Sequence, residues 1–331
     1  MLNVKKIIII IIFVVLAFIV LFAFKNKSII SNKNVEEIKK VSLRLKWLDQ
    51  AQFAGFYVAK EKGLYKKDGL EVTINPGGPE ISPIQMVVSK VNNFGITGAD
   101  QIILAREKGI PVVALAVIYK DTPVAIGSLK KNNITSPKDL EGKKMGLIYG
   151  RDEETVYRAL LAKEKINPKS INEVALLAGL SQLTTGAIDA QILYEINEPI
   201  LLAQEGFEIN LIKPRDYGIK FYADVLFTTE DMIQNNPEEV KNFVQASLEG
   251  WKLVFENPES AIDAVLSANN SLDRNHQTKF LELSKPLITG YGKIGYSDKE
   301  VWQEMQNTLL NQGLLKNPVD IDKTFTNNYL K

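Results

Sequence analysis

The chain has 331 residues, which is enough for two domains. Its composition, with 45% hydrophobic and 24% charged residues, is that of a folded α/β protein. Its 40 basic and 39 acidic residues give a net charge of +1, which argues against a nucleic-acid partner. Because cysteine is absent, disulfides, thiol nucleophiles, thiolate metal sites and a cysteine-linked lipid are excluded, and His276 is the single imidazole available.

The N-terminus carries an unbroken apolar run over residues 7–24, preceded by Lys5 and Lys6. The run is longer than the apolar core of most signal peptides and close to the roughly 20 residues of a membrane-spanning helix. No small-x-small cleavage site follows, so we expect residues 1–24 to form an uncleaved signal-anchor, with a cleaved signal peptide as the alternative. Residues 25–40 are polar and are expected to form a linker, with the bulk of the chain outside the cell.

Strand and helix patterns alternate from residue 41 onward. The predicted strands cover residues 41–47, 70–74, 93–97, 112–119, 144–149, 173–177, 190–194, 208–212 and 225–229. The predicted helices cover residues 53–62, 84–91, 101–108, 153–165, 237–255, 258–267, 273–285 and 298–312, and a short one opens at Ser136-Pro137. This alternation predicts mainly parallel sheets with helices on both faces, in two lobes. Ligands of such sheets bind beyond the carboxyl ends of the strands.

A resemblance begins at Trp47 with the segment WLDQAQFAGFYVAKEKGLY. It continues, in order, through Asn93-Phe-Gly-Ile, Gly109-Ile-Pro-Val, Leu140-Glu-Gly-Lys-Lys-Met-Gly, Asn197-Glu-Pro, Asp216-Tyr-Gly and Gly290-Tyr-Gly-Lys. This ordered set resembles the thiamine-pyrimidine-type (SsuA-like) solute-binding proteins of ABC transporters, which have the type II periplasmic binding-protein fold.

The resemblance implies an α/β fold of two lobes, each a mainly parallel sheet with helices on both faces, joined by two crossover strands near residues 122–130 and 218–226. It places lobe 1 at residues 41–125 and 223–331, and lobe 2 at residues 126–222. It also implies an extracytoplasmic chain that is not an enzyme, needs no cofactor and works with an ABC permease and ATPase. The expected ligand is a small heteroaromatic nutrient, such as a thiamine pyrimidine precursor, bound by a monomer that residues 7–24 tether to the membrane.

Two alternatives stay open. The first is an enzyme of the same fold that makes the thiamine pyrimidine from its own histidine and pyridoxal phosphate. Its aldimine-forming lysine and its consumed histidine align here with Thr97 and Gln101, which cannot replace them. Its cysteine-rich stretch aligns with residues 219–223, which contain no cysteine. The other alternative is a ligand-sensing module for a separate signalling protein. In the loop 150–154 three carboxylates accompany one arginine, so we expect a neutral or amine-bearing ligand rather than a phosphate or sulfonate.

The candidate ligand-binding residues are aromatics, amides and carboxylates at the predicted strand ends. Those of the first lobe are Trp47, Gln50, Gln52, Phe53, Tyr57, Thr97, Gly98, Asp100 and Gln101, with a core position as the alternative for Tyr57. Those of the second lobe and the return crossover are Tyr149, Arg151, Glu153, Glu154, Tyr194, Glu195, Asn197, Glu198, Tyr222 and Asp224.

Within this set, Trp47 is expected to stack on the ligand, and Glu195 or Glu198 to accept the paired donors of an aminopyrimidine. No metal site is expected. His276 and the basic residues of Lys60–Lys67 are expected to be solvated.

Overall fold

The structure, a computed structural model, describes residues 38–177, 179–290 and 292–330. The predicted signal-anchor at residues 1–24, and the linker up to residue 37, lie outside these residues. Within the three described stretches, no helix is both long and apolar enough to cross a membrane.

The described residues contain ten strands and twelve α-helices. The strands are β1 (Lys39–Arg44), β2 (Leu70–Asn75), β3 (Phe94–Thr97), β4 (Val112–Val117), β5 (Val124–Leu129), β6 (Lys144–Leu147), β7 (Asn172–Ala175), β8 (Ala190–Tyr194), β9 (Ile209–Ile212) and β10 (Val225–Thr229). The helices are α1 (Ala54–Glu61), α2 (Leu64–Lys67), α3 (Pro83–Val88), α4 (Ala99–Glu107), α5 (Asp152–Lys163), α6 (Ser181–Thr184), α7 (Glu198–Gln204), α8 (Glu230–Asn235), α9 (Pro237–Glu256), α10 (Pro258–Ala268), α11 (Arg274–Thr289) and α12 (Lys299–Asn311).

The strands form two five-stranded sheets, in the orders β2-β1-β3-β10-β4 and β7-β6-β8-β5-β9. In each sheet one strand runs against its neighbours: β10 is antiparallel to β3 and β4, and β5 is antiparallel to β8 and β9. The other neighbouring pairs are parallel. The prediction of two lobes with mainly parallel sheets is confirmed, and the reversed strands are the ones that enter each sheet from the other lobe.

The chain crosses between the sheets twice, over residues 118–123 and 213–224, and the two crossings lie side by side. Ile118 N–H donates to the Asp224 carbonyl at 2.8 Å, and Ala223 N–H donates to the Tyr119 carbonyl at 3.1 Å. The two crossovers predicted near residues 122–130 and 218–226 overlap these crossings, and the residues of β5 in the first range pair within the second sheet. We therefore propose that the lobe boundaries lie inside these two crossings.

The central strand of each sheet is buried on both faces, because every residue of β3 and of β8 is buried. The apolar runs of β4 and β5 are buried throughout as well. Helix α9 packs closely against α1: a Cβ built on Gly250 would lie 2.2 Å from the Gly55 carbonyl oxygen. The two helices can approach this closely only because neither glycine carries a side chain.

This contact predicts that Gly250→Ala destabilises the protein although alanine is the better helix former. Overpacking costs typically about 1–3 kcal/mol of unfolding free energy, which exceeds the roughly 1 kcal/mol that alanine gains over glycine within a helix. The measurement is chemical denaturation of the full-length protein, with Lys252→Ala, exposed on the same helix, as the control. An unchanged or increased free energy of unfolding in Gly250→Ala would contradict the packing described.

Candidate functional site

A cavity of about 240 Å³ lies between the two lobes. From the first lobe it is lined by residues that follow β1, and from the second by residues in and after β6, β7 and β8. This is the position expected for a ligand site, because the carboxyl ends of the parallel strands meet there. Leucine and isoleucine side chains make up much of the wall: Leu48, Ile148, Leu176, Leu177, Leu180, Ile192, Leu193 and Leu201.

Eight of the candidate residues line this cavity. They are Trp47, Gln50, Gln52, Arg151, Glu153, Tyr194, Asn197 and Glu198. Trp47 is half-buried, and the Arg151 guanidinium lies 5.1 Å from the centre of its ring. The cavity therefore combines an aromatic ring, amides and carboxylates within largely apolar walls, which is the usual make-up of a small-molecule site.

The amides and Glu198 are held by hydrogen bonds of their own. Gln50 donates to Gln52 Oε1 at 2.6 Å, and Gln52 donates to the Asp224 carboxylate at 2.8 Å. Glu198 accepts from the Tyr194 backbone N–H at 2.8 Å, and burial raises the pKa of the Glu198 carboxyl. These bonds fix the direction of each side chain before any ligand is present.

A buried lysine joins the lobes beside the cavity. Lys46 follows β1, and its Nζ lies 2.6 Å from Asp152 Oδ2 at the start of α5 and 3.4 Å from Asp224 Oδ1 on the return crossing. Burial alone would lower the pKa of Lys46, but the negative charges around it, Asp152 first, outweigh burial and raise it well above its usual value. The ammonium is therefore charged, and it forms an ion pair between the lobes.

Two further contacts bring the lobes together around this pair. Arg151 donates to the Lys46 carbonyl at 2.9 Å and to the Gly78 carbonyl at 3.1 Å. Gly98 has no side chain at the place where Asp152 approaches, and a Cβ there would lie 2.7 Å from the Asp152 Cβ. The missing side chain of Gly98 thus lets the two lobes approach closely at this point, and Gly98 does not line the cavity. Neither Lys46 nor Asp152 was among the predicted site residues.

The loop 150–154 differs from the prediction that Arg151 offsets only one of its three carboxylates. Asp152 pairs with Lys46, Glu153 Oε2 lies 3.5 Å from Arg151 Nε, and Glu154 pairs with Arg158 at 3.2 Å. Lys46 and Arg158 therefore offset the two carboxylates that were expected to lack a cation, and the expected repulsion of anions does not follow from them.

The remaining candidates of the first lobe lie elsewhere. Phe53 and Tyr57 are in the hydrophobic core, and Tyr57 donates a hydrogen bond to Asp49. Thr97 and Gln101 line a smaller groove on the other side of Lys46 and Asp152, together with the exposed Tyr149 of the second lobe. Asp100 is buried next to that groove and accepts a hydrogen bond from Gln101 at 2.7 Å.

On the second lobe and the return crossing, Glu195 and Tyr222 point away from the cavity. Glu195 is held by Lys213 at 3.0 Å and by Arg215, on a different surface. Tyr222 packs edge-on against Trp302 and accepts from the Asp298 N–H. Of the two glutamates left open by the sequence, Glu198 therefore lines the cavity.

The prediction that His276 is solvated is wrong. The residue is only 7% exposed, because α11 turns it and Gln277 toward the first lobe's interior, where Gln277 accepts from the Ala51 N–H at 2.7 Å. Burial lowers the pKa of the His276 imidazole. The polar residues around it in sequence suggested a solvated residue; Arg274 and Asn275 are exposed, but His276 and Gln277 face inward.

Comparison with known proteins agrees with this arrangement. The family model described as "NMT1/THI5 like" matches residues 50–261, more than half of the chain. The chain belongs to the NMT1/THI5-like family. The riboflavin-binding protein RibY of Chloroflexus aurantiacus is 28% identical over 88% of this chain and 86% of the relative. A formylaminopyrimidine-binding protein of Halalkalibacterium halodurans is 27% identical over 88% of this chain and 91% of the relative.

Among solved structures, the periplasmic aliphatic sulphonate-binding protein SsuA of Escherichia coli superposes with a TM-score of 0.70 at 18% identity, covering 88% of this chain and 94% of that one. This likeness confirms the periplasmic binding-protein fold. Enzymes are similar too: a 4-amino-5-hydroxymethyl-2-methylpyrimidine phosphate synthase of Legionella pneumophila is 21% identical over 88% of this chain and 92% of the relative.

The buried Asp100 predicts a pH effect on stability. Burial and the negative charge of Asp152 raise the pKa of Asp100 to about 6, above its value of roughly 3.9 in an unfolded chain. A raised carboxyl pKa means that the folded state binds a proton more tightly, so this stabilisation is complete at low pH and is lost as pH rises through 6. We expect Asp100→Asn to raise the melting temperature at pH 8 and to do so less at pH 5.

The control for this measurement is Glu259→Gln, an exposed carboxylate at the start of α10. The two melting temperatures of each variant are compared with those of the unmodified protein. An effect of Asp100→Asn that is the same at both pH values would mean that Asp100 is not protonated in this range.

Proposed function

We propose that this chain is the extracytoplasmic substrate-binding component of an ABC importer, and that the interlobe cavity captures a small heteroaromatic solute. The observation that carries the proposal is the cavity itself. It lies between two lobes joined by two adjacent crossings, and it places Trp47 and several amides and carboxylates within leucine-rich walls. Flat heterocycles suit such a site, because an aromatic ring and apolar walls cover their faces while polar side chains contact their edges.

The two binding-protein relatives support the ligand class. Their names specify riboflavin and formylaminopyrimidine, and both of these ligands are nitrogen heterocycles. The sulphonate-binding relative supports the fold alone at its level of identity. A pyrimidine precursor of thiamine and a flavin are therefore the first ligands to test.

The adjacent crossings support capture by closure. Two short segments carry all the chain connections between the lobes, so a small rotation there can open the cavity to solvent. A ligand that contacts both lobes favours the closed form, and that form is the one a permease would recognise. As part of the proposal, residues 7–24 anchor a monomer to the outer face of the cell membrane.

A synthase activity is the second candidate, because some relatives carry that name. The family's aldimine lysine and consumed histidine correspond here to Thr97 and Gln101, which lie in the neighbouring groove. Lys46 is the amine that borders the cavity, but its pairing with Asp152 and Asp224 keeps it an ammonium, which has no free electron pair to attack a carbonyl. Binding without chemistry is the function that this arrangement favours.

The test is isothermal titration of the full-length protein with riboflavin, formylaminopyrimidine, 4-amino-5-hydroxymethyl-2-methylpyrimidine and hexanesulfonate. We expect one of the heterocycles to bind, and Trp47→Ala to weaken that binding about 10- to 100-fold through loss of ring contact. Tyr149→Ala removes an exposed aromatic side chain outside the cavity and serves as the matched control. Binding of the sulfonate alone, or equal affinity in Trp47→Ala, would contradict the proposal.

A further inference from the structure

The second-lobe wall of the cavity carries four buried polar atoms without a hydrogen-bond partner: the donor Arg151 Nε, and three acceptors, Glu153 Oε2, Gln191 Oε1 and the Tyr194 hydroxyl. The residues Glu153, Gln191 and Tyr194 are 6%, 1% and 9% exposed, and all of them line the cavity. Buried polar atoms are nearly always paired in folded proteins, so three unpaired acceptors on a single cavity indicate that a ligand supplies the partners.

The chemistry of these atoms defines what the ligand must supply. A carboxylate oxygen and an amide oxygen only accept hydrogen bonds, and a tyrosine hydroxyl accepts or donates. Glu153 Oε2 lies 3.5 Å from Arg151 Nε, near enough for attraction between the charges but not for a good hydrogen bond. The complementary ligand edge therefore carries N–H or O–H groups.

The cations of the cavity wall face protein oxygens. Lys46 is held by Asp152 and Asp224, and the two terminal nitrogens of Arg151 donate to backbone carbonyls of the first lobe, while its Nε lies 3.5 Å from Glu153 Oε2 without a hydrogen bond. An anionic ligand edge would have to compete with the Glu153 carboxylate for Arg151 Nε and would meet the unpaired acceptor oxygens beside it, and this is unfavourable in a buried site.

We propose that Glu153, Gln191 and Tyr194 form a subsite that selects ligands by their hydrogen-bond donors, accepting an amine or imide edge and rejecting an anionic or alkylated edge. This inference rests on the proposed function, because it assigns the ligand class of the same cavity. It adds Gln191, which the sequence did not mark, and it gives Glu153 a role that differs from that of Glu198 on the neighbouring helix α7.

The proposal implies a pH dependence of binding. Burial and the charge of Asp152 raise the pKa of Glu153 to about 7, opposed by Arg151 and Lys46, while the Tyr194 hydroxyl lies close by. Ligand donors stabilise the ionised carboxylate, so binding lowers this pKa and releases a proton when the pH is near 7. Affinity for a donor-bearing ligand therefore rises as pH increases from 6 to 8.

The experiment compares pairs of ligands that differ by the methylation of one N–H-bearing nitrogen. The pairs are riboflavin with 3-methylriboflavin, and 4-amino-5-hydroxymethyl-2-methylpyrimidine with its N,N-dimethyl derivative, each titrated into the full-length protein. We expect the N–H member of the bound pair to bind at least about 10-fold more tightly, because methylation leaves a buried acceptor unpaired. If no member of either pair binds and formylaminopyrimidine does not bind either, the proposed function fails and the subsite fails with it.

Variants then locate the effect. Glu153→Gln and Gln191→Leu are expected to weaken the N–H ligand about 10- to 100-fold and to change the methylated ligand much less. Glu154→Gln is the matched control, since Glu154 is the next residue, pairs with Arg158 and does not line the cavity. Glu153→Gln should also remove most of the rise in affinity between pH 6 and 8.

Two outcomes would overturn the subsite while leaving the binding function intact. One is equal affinity of the unmodified protein for both members of a bound pair. The other is a folded Glu153→Gln or Gln191→Leu variant, verified by its melting temperature, that still prefers the N–H ligand by the full factor. A purely structural role for these residues would lower the melting temperature without altering the preference between the two ligands.

Discussion

The buried ammonium of Lys46, held between Asp152 and Asp224, is the contact on which the closed arrangement depends. It combines a residue after the first strand, the start of a second-lobe helix and the return crossing. Removing one partner of such a buried ion pair costs about 3–5 kcal/mol, because an uncompensated charge stays buried. Separating the lobes does not leave these charges buried, since it admits water to all three. The ion pair therefore does not prevent the lobes from separating, but it favours one geometry when they are closed.

The character of the cavity follows from this contact. Lys46 and Arg151 hold the lobes together: Lys46 pairs with Asp152, and Arg151 donates to two carbonyls of the first lobe while its Nε faces Glu153 Oε2 at 3.5 Å. What faces the cavity is an aromatic ring, leucine side chains and acceptor oxygens. The proposed ligand, a heterocycle with a donor edge, is complementary to such a surface.

Elements with strong local patterns could be predicted from the sequence. The bounds of β8 and β10 agree with the prediction, and α9 and α10 agree to within one residue, because apolar periodicity and flanking prolines or caps define them. The sequence predicts a crossover over the residues of β5, because no local pattern shows which sheet this strand will pair with. Its reversed direction in the second sheet depends on long-range pairing with β8 and β9.

The site could be predicted only as a set of loops. The rule that ligands bind beyond strand ends located Trp47, Glu153 and Glu198, but it does not say which side chains of a loop point into the cleft, and Phe53 is in the core. Lys46 and Asp152 are 106 positions apart, and no local pattern links them. Lys46 occupies a polar position of the alternating segment 41–47, as Arg44 does, so nothing local distinguishes it as a buried cation.

If the Lys46 ion pair sets the closed state, the distance between the lobes must change when the pair is removed. The chain has no cysteine, so spin labels can be attached at Lys62→Cys on the first lobe and Lys169→Cys on the second, both exposed positions. Double electron–electron resonance then gives the distribution of distances between them. The account predicts that a bound heterocycle narrows this distribution to one closed distance, and that Lys46→Met shifts the ligand-free protein toward open distances. A Lys46→Met protein with an unaltered distribution, with and without ligand, would contradict it.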